Sequence, residues 1–292
     1  MNNKALNNGI AHAILSAIIF GLMPLFTQLL YKMGANSVSS AFYRMVPATI
    51  VLYFFIKFKE KKDLKINKDE AKGLFFAALG FSLTSITLFS SYEYINSGAA
   101  TTIHFAYPIV IFIAVNFIKK YRPKATEVLC VVFVAIGIIL IMNMDSSNGL
   151  NLKGVFFAVL SALTYSFYSI YLEMKKLINI GSTKLLFYLN LFSVMVVIIY
   201  SLATKTEIYL GFKGIEWFLP IIYSFVITFG AAFLYQSAIV KIGADKTSIL
   251  STLEPITSLI VGIVVLKEEI VLAQIIGVVL ILVATTKLVN RK

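Results

Sequence analysis

The sequence predicts an all-α integral membrane protein: ten transmembrane helices arranged as two inverted five-helix repeats around a central cavity. Three observations predict it. The apolar residues come in ten blocks of roughly spanning length. Lysine and arginine crowd into alternate connections between those blocks. The second half of the chain repeats the first after five blocks, an odd number.

The composition excludes other classes first. Of the 292 residues, 59% are hydrophobic and only 14% are charged, where a soluble domain carries about 25%. Mean hydropathy is +0.87. The formal charge of +12 would suit a nucleic-acid binder, but the lysines stand between hydrophobic blocks, with no basic runs interleaved with aromatics. Nucleic acid is therefore not an expected partner. The single cysteine, Cys130, cannot form an intrachain disulfide and reads as buried packing. The first block is too long for a cleavable leader and has only Lys4 before it.

The expected spans follow in order. The first block gives α1 (10–31). Next, α2 (38–56) carries Arg44 and ends at the lysine run from Lys57 to Lys72, beyond which stands α3 (71–91). Span α4 (97–118) contains Pro108 and stops at "KKYRP", and α5 (126–142) contains Cys130. The second half supplies α6 (152–172), α7 (183–203), α8 (215–238) with Tyr235 and Gln236, α9 (246–266) with Glu254 and Pro255, and α10 (270–289). Lipid cannot satisfy open backbone groups, so helices are the economical solution. The blocks lack the alternation of barrel strands.

Placing both termini in the cytoplasm puts 20 of the 26 lysines and arginines inside and 5 outside, with Arg44 left within α2. That asymmetry predicts a multi-pass cell-membrane protein with both ends cytoplasmic. The repeat is read from "GIAHAILSAIIFG" at Gly9 and "GVFFAVLSALTYS" at Gly154, and from "GAATTIHFAYP" (Gly98 to Pro108) against "GADKTSILSTLEP" (Gly243 to Pro255). Beyond the prolines, Glu127 faces Gln274 and Gly137 faces Ala284. The expected units are residues 9–143 and 151–289. Five helices per unit make the second copy enter the membrane from the opposite side. This construction is typical of secondary transporters, whose sites lie near the midplane between the repeats.

These features resemble the drug/metabolite transporter superfamily, specifically its EamA-type ten-helix members. The residues that carry the resemblance are the two "G-x-x-x-A-x-L-S-A" openings, Arg44 in "AFYRMVPATIVL", "LEPITSLIVGIVVLKEE" (Leu253 to Glu269) and "QIIGVVLILVA". The resemblance covers nearly the whole chain. It implies movement of a small metabolite through a central cavity by alternating access. In the first half "KKYRP" stands where the second has "KEE", so a family-type acidic residue is missing there.

Candidate site residues follow from charge and helical spacing. Glu254 lies within an apolar segment directly before Pro255, whose missing N–H should leave the Ser251 carbonyl without its usual partner. Thr247, Ser251, Glu254, Ser258 and Gly262 share one face of α9. A small polar face with a broken turn and a carboxylate fits a cavity wall, since a charge inside a span is a functional candidate. The repeat pairs Ser251 and Glu254 with His104 and Tyr107 of α4, so those two are candidates as well, with Pro108 and Pro255 as helix breaks. His104 and Glu254 are candidates for proton coupling. Arg44 suits a substrate carboxylate. One face of α6 offers Ser161, Tyr165, Tyr168 and Leu172; its repeat partner on α1 offers Ser16, Phe20, Met23 and Thr27, with His12 continuing the stripe. Glu268 and Glu269 read as hairpin-turn or surface charges, and Glu93 as a loop charge.

Motifs for other chemistry are missing. The sequence has no phosphate-binding glycine loop, no H-E-x-x-H, no cysteine cluster and no nucleophile elbow. No cofactor or metal is expected. The expectation is a transporter, not an enzyme, moving an amino acid or related metabolite, with export as the first guess and protons as the candidate coupling ion. The rivals are an exporter of cationic amines or drugs, a passive facilitator, and a membrane-embedded lipid-modifying enzyme. The sequence points to no oligomeric state.

Overall fold

A computed structural model describes residues 3–120, 123–142, 151–242, 247 and 250–289. Among them all regular secondary structure is helical. Seven helices are long and apolar enough to cross a membrane: Leu6–Lys32, Ser37–Glu60, Lys68–Ser91, Ser97–Ile118, Leu152–Met174, Ser182–Thr204 and Gly214–Ile239. Three shorter apolar helices, Ala125–Ile141, Leu253–Val264 and Leu272–Lys287, bring the set among the described residues to ten. In the observed fold α2 begins at Ser37, α3 at Lys68, α5 at Ala125, α6 at Leu152, α7 at Ser182 and α10 at Leu272.

Several spans are interrupted. Span α4 breaks into α4a (Ser97–His104) and α4b (Tyr107–Lys119), and α9 resumes as Leu253–Val264 after a turn at Ser251 and Thr252. Both breaks stand one turn before the prolines that the sequence singles out. Gly243 and Lys246, expected at the start of α9, lie outside the described residues. Two further interruptions go beyond the sequence reading. Span α1 divides at Leu22 into α1a (Asn3–Gly21) and α1b (Met23–Lys32), because Pro24 opens the second piece. Span α8 runs as Phe218–Tyr223, a π-helical stretch Ser224–Ala231, and Ala232–Ile242.

The packing follows the repeat. Span α5 pairs with α10, α2 with α7, and α4a with α9. Each is a pair of equivalent helices, as expected around a two-fold axis lying in the membrane plane. The remaining contacts come in matched sets: α3 packs on α6 as α8 packs on α1, and α4 packs on α6 as α9 packs on α1. The turns that follow α4b and α9 each contain a left-handed lysine, Lys120 at φ 52° and Lys267 at φ 60°. At the starts of α5 and α10, Glu127 and Gln274 each reach back to a backbone N–H, of Lys124 at 2.7 Å and of Val271 at 3.3 Å.

Small residues set the closest crossings, because lipid tails give apolar side chains little reason to leave them. A Cβ on Gly277 would stand 2.6 Å from the Gly137 carbonyl, and one on Gly98 would stand 2.8 Å from Leu259 Cα. Gly277→Leu is therefore expected to push α5 from α10 and destabilise the fold by about 1–3 kcal/mol, read as a lower Tm in detergent. Gly230→Ala, whose Cβ would meet only the Phe225 carbonyl oxygen at 3.4 Å, is expected to melt like the wild type.

Candidate functional site

The broken segments of α4 and α9 face a cavity of about 200 Å³ between the repeats. Its wall includes Phe20 and Met23 of α1, Arg44 of α2, Phe81 and Ser85 of α3, His104 and Tyr107 of α4, Tyr165 and Tyr168 of α6, Tyr235 and Gln236 of α8, and Ser251 and Glu254 of α9. The structure thus brings Phe20, Met23, Arg44, His104, Tyr107, Tyr165, Tyr168, Ser251 and Glu254, all named from sequence, to one cavity. Ser16, Thr27, Ser161 and Leu172 of the same two stripes do not line it. The Ser16 hydroxyl is fully buried and donates to the Ala231 carbonyl at 2.8 Å, at the end of the π-helical stretch.

Each break is supported by the helix packed behind it. At α4, the His104 Nδ1 and the Ser161 hydroxyl are 2.9 Å apart, and Ser166 donates to the Tyr107 carbonyl at 3.1 Å. At α9, the equivalent neighbour of the Glu254 carbonyl is Gly21, where a Cβ would stand 2.8 Å from that oxygen. The Ser251 carbonyl, expected to be left open by Pro255, accepts from the Glu254 N–H at 3.0 Å. The tighter i to i+3 turn supplies the donor that proline lacks. Ser161 thus supports His104 from α6, and Leu172 belongs to a separate apolar cluster with Leu74 and Leu185. Thr27 bonds the Met23 carbonyl and meets the Tyr223 hydroxyl at 3.3 Å.

The aromatic wall is continuous. Tyr107 and Tyr165 have ring centroids 4.4 Å apart, Tyr165 and Tyr168 5.6 Å, and His104 stands edge-on to Tyr165 at 5.4 Å. Against it stand one guanidinium, of Arg44, and one carboxyl group, of Glu254. Arg44 donates from one terminal nitrogen to the Ser85 hydroxyl at 3.1 Å and lies 5.6 Å over the Phe81 ring. Its Nε is buried and has no hydrogen-bond partner among the described residues. No ion pair joins Arg44 to Glu254 there.

Sequence reasoning missed what holds Arg44 in place. Pro47 removes one rung of α2, and the turn is completed by α8. Ser224 and Thr228 both donate to the Arg44 carbonyl, at 2.7 and 2.9 Å, while the Ser224 hydroxyl accepts the Ala48 N–H at 2.8 Å. A proline in a span facing serine and threonine hydroxyls was the available signal. Asn190, near the position that the repeat sets opposite Arg44, is buried and donates to the Leu186 carbonyl within its own helix at 2.7 Å.

The two ends of the bundle differ. Toward the connection 92–96, Tyr31 donates to the Phe89 carbonyl at 2.8 Å, and Gln28 to the Tyr92 carbonyl at 3.1 Å. Beside them Tyr92, Thr101 and Ser258 are linked at 3.0 and 3.2 Å. The connection between α7 and α8 covers the same end, with Tyr43 donating to the Tyr209 carbonyl at 2.7 Å. Glu268 is not a simple surface charge: one carboxylate oxygen accepts both the N–H and the hydroxyl of Ser97, at 3.0 and 2.6 Å. Glu93 accepts the Ser37 N–H at 3.3 Å, and Glu269 is exposed. At the lysine-rich end a second volume of about 370 Å³ opens between α2, α7 and α8, sharing Leu186, Ala232 and Gln236 with the central cavity. There Lys184 meets Asp63 at 3.5 Å. The Lys65 N–H, and then Lys184, hold the Asp63 carboxyl below its ordinary range.

A helix-only fold with two matched halves is shared by many membrane proteins, and comparison with known proteins settles the family. The sequence profile of the EamA-like transporter family matches residues 7–143 and again 152–289. The chain belongs to that family. It is a multi-pass membrane transporter with the two-repeat EamA architecture. It is 23% identical over 283 residues to the uncharacterized inner membrane transporter YicL of Salmonella typhimurium (strain LT2), covering 94% of this chain and 92% of that protein. A solved crystal structure superposes with a TM-score of 0.62 at 15% identity, over 98% of this chain and 97% of the other. That likeness concerns the fold alone.

The α2 clamp is testable. Ser224→Ala strips the Ala48 N–H of its acceptor and the Arg44 carbonyl of a donor. We expect a loss of about 1–3 kcal/mol, read by thermal unfolding, together with weakened transport. Thr228→Ser, which keeps its hydroxyl, is expected to match the wild type in both.

Proposed function

We propose that the protein exports a small zwitterionic metabolite, an amino acid or a related compound, across the cytoplasmic membrane by alternating access. The observation that carries this reading is the buried Arg44 Nε, without a partner among the described residues, beside a cavity that Glu254 also lines. A substrate carboxylate that draws the guanidinium into the cavity would take the Nε N–H and a terminal one together, in the bidentate manner of guanidinium groups. Its ammonium would face Glu254 and the tyrosine wall. The small volume favours a metabolite: about 200 Å³ lies below the 300–1,000 Å³ range of sites for drug-sized ligands.

In this reading the lysine-rich end is cytoplasmic, and the molecule is described in an inward-facing state, joined to the vestibule and tied shut at the other end. Rocking of one repeat against the other then exchanges the open and closed ends around the central site. Glu254 gains and loses a proton in each cycle, which couples transport to the proton gradient. A second reading has its own support. A carboxylate beside several tyrosine faces also suits a cationic amine without a carboxylate.

Transport in proteoliposomes separates the readings. With radiolabelled amino acids and their decarboxylated amines, Arg44→Gln is expected to cut amino-acid flux by about tenfold or more, equivalent to about 1.4 kcal/mol, and to spare amines. Equal loss of both points to a structural role for Arg44, and wild-type flux of the amines without flux of the amino acids favours the amine reading. Flux without accumulation against any gradient would make the protein a passive facilitator. Glu254→Gln is expected to abolish flux driven by a pH gradient while retaining exchange between loaded substrates. Normal pH-driven flux in that variant would remove Glu254 from coupling. Reporters fused at both ends are expected on the cytoplasmic side, and opposite locations would overturn the orientation.

A further inference from the structure

We propose that the vestibule at the lysine-rich end is a second binding site, a station where Lys241 holds the substrate's carboxylate before it passes Gln236 into the central cavity. The identity of the passenger rests on the reading above; the anion site itself rests on the vestibule's own geometry.

Three charged side chains line this volume: Glu60, Lys62 and Lys241. Glu60 is already neutralised, since its Oε2 lies 3.0 Å from Lys62 Nζ and accepts the Thr183 hydroxyl at 2.8 Å. The remaining charge is the Lys241 ammonium, so the vestibule is net cationic. Lys241 is also held in place. Its Nζ stands 3.3 Å from His12 Nδ1, which lies 2.9 Å from the Ser237 hydroxyl. An ammonium can only donate, so this contact uses the Nδ1 lone pair, which the Ser237 hydroxyl also faces. It uses one of three ammonium N–H bonds. Ser237 and Lys241 are four residues apart on one face of α8, and Gln236 lines both volumes. Leu52 of α2 and, on α8 itself, Phe229 and Phe233, at successive turns before Ser237, line the same volume and supply apolar surface suited to a substrate side chain. A carboxylate drawn to the lysine-rich end by its field therefore meets a preset cation one wall away from Arg44.

The test works with the substrate still unidentified. In a Cys130→Ser background, Gln236→Cys is labelled in proteoliposomes with an anionic thiosulfonate, 2-sulfonatoethyl methanethiosulfonate, and with neutral methyl methanethiosulfonate. The anionic-to-neutral rate ratio is expected to fall about threefold or more on adding Lys241→Gln, the size of one unit charge acting across a few ångströms of water. It should persist with Lys241→Arg and shrink in high salt. An unchanged ratio with Lys241→Gln overturns the site. A mixture of amino acids is then added as competitor. Protection of the introduced thiol that survives Arg44→Gln but not Lys241→Gln supports the station. Protection lost with Arg44→Gln alone means that only the central cavity binds, and overturns it. A charge-dependent ratio with no protection by amino acids in any variant would leave the anion site standing and sink the amino-acid reading instead.

Discussion

Lipid offers no partner to an open backbone N–H or C=O, and that constraint organises this protein. Its spans are repeatedly interrupted, and most interruptions are met by the opposite repeat. The Pro47 turn of α2 is closed by Ser224 and Thr228 of α8. The α4 break is held by Ser161 and Ser166 of α6. The wide turn of α8 ends on the Ser16 hydroxyl of α1. At α9 the missing proline donor is replaced locally by the Glu254 N–H, and Gly21 of α1 lets the helix come close. The two repeats therefore complete each other's hydrogen bonding, and neither half is satisfied alone.

This reciprocity explains where the cavity lies. A helix that opens its backbone must do so against protein or a polar space, so the breaks and the cavity coincide at the repeat interface. The charged pair is divided in the same way: Arg44 comes from the first repeat and Glu254 from the second, with no ion pair between them among the described residues. A passenger bridging both would feel any rocking of one half against the other. Small residues at Gly137, Gly277, Gly98 and Gly21 let the backbones approach, which suits surfaces that slide without being unpacked.

The two ends of the bundle are built differently. Loop side chains and tyrosines knit one end together across α1, α3, α4 and the long connection before α8. The other end carries most of the lysines, and the second volume opens there beside Lys62 and Lys241. The same kind of charge that orients a membrane protein also lines this opening.

Much of this was legible in the chain. Block length, lysine distribution and the paired "LSA" and proline segments determined ten spans, the correspondence between the halves and the residues of α4 and α9 that line the cavity. Those signals are periodic and local, so one dimension suffices to read them. The same reasoning overassigned Ser16, because helical spacing names a stripe without saying how far along it the cavity extends. It read Glu268 as a hairpin-turn or surface charge, because nothing in "KEE" reveals that Ser97 stands opposite. The anchoring of Arg44 by α8, the π-helical stretch and the vestibule around Lys241 depended on residues more than a hundred positions apart. Only the tertiary structure decided these, because a hydrogen bond between distant segments is set by how the helices pack, and no local pattern encodes that distance.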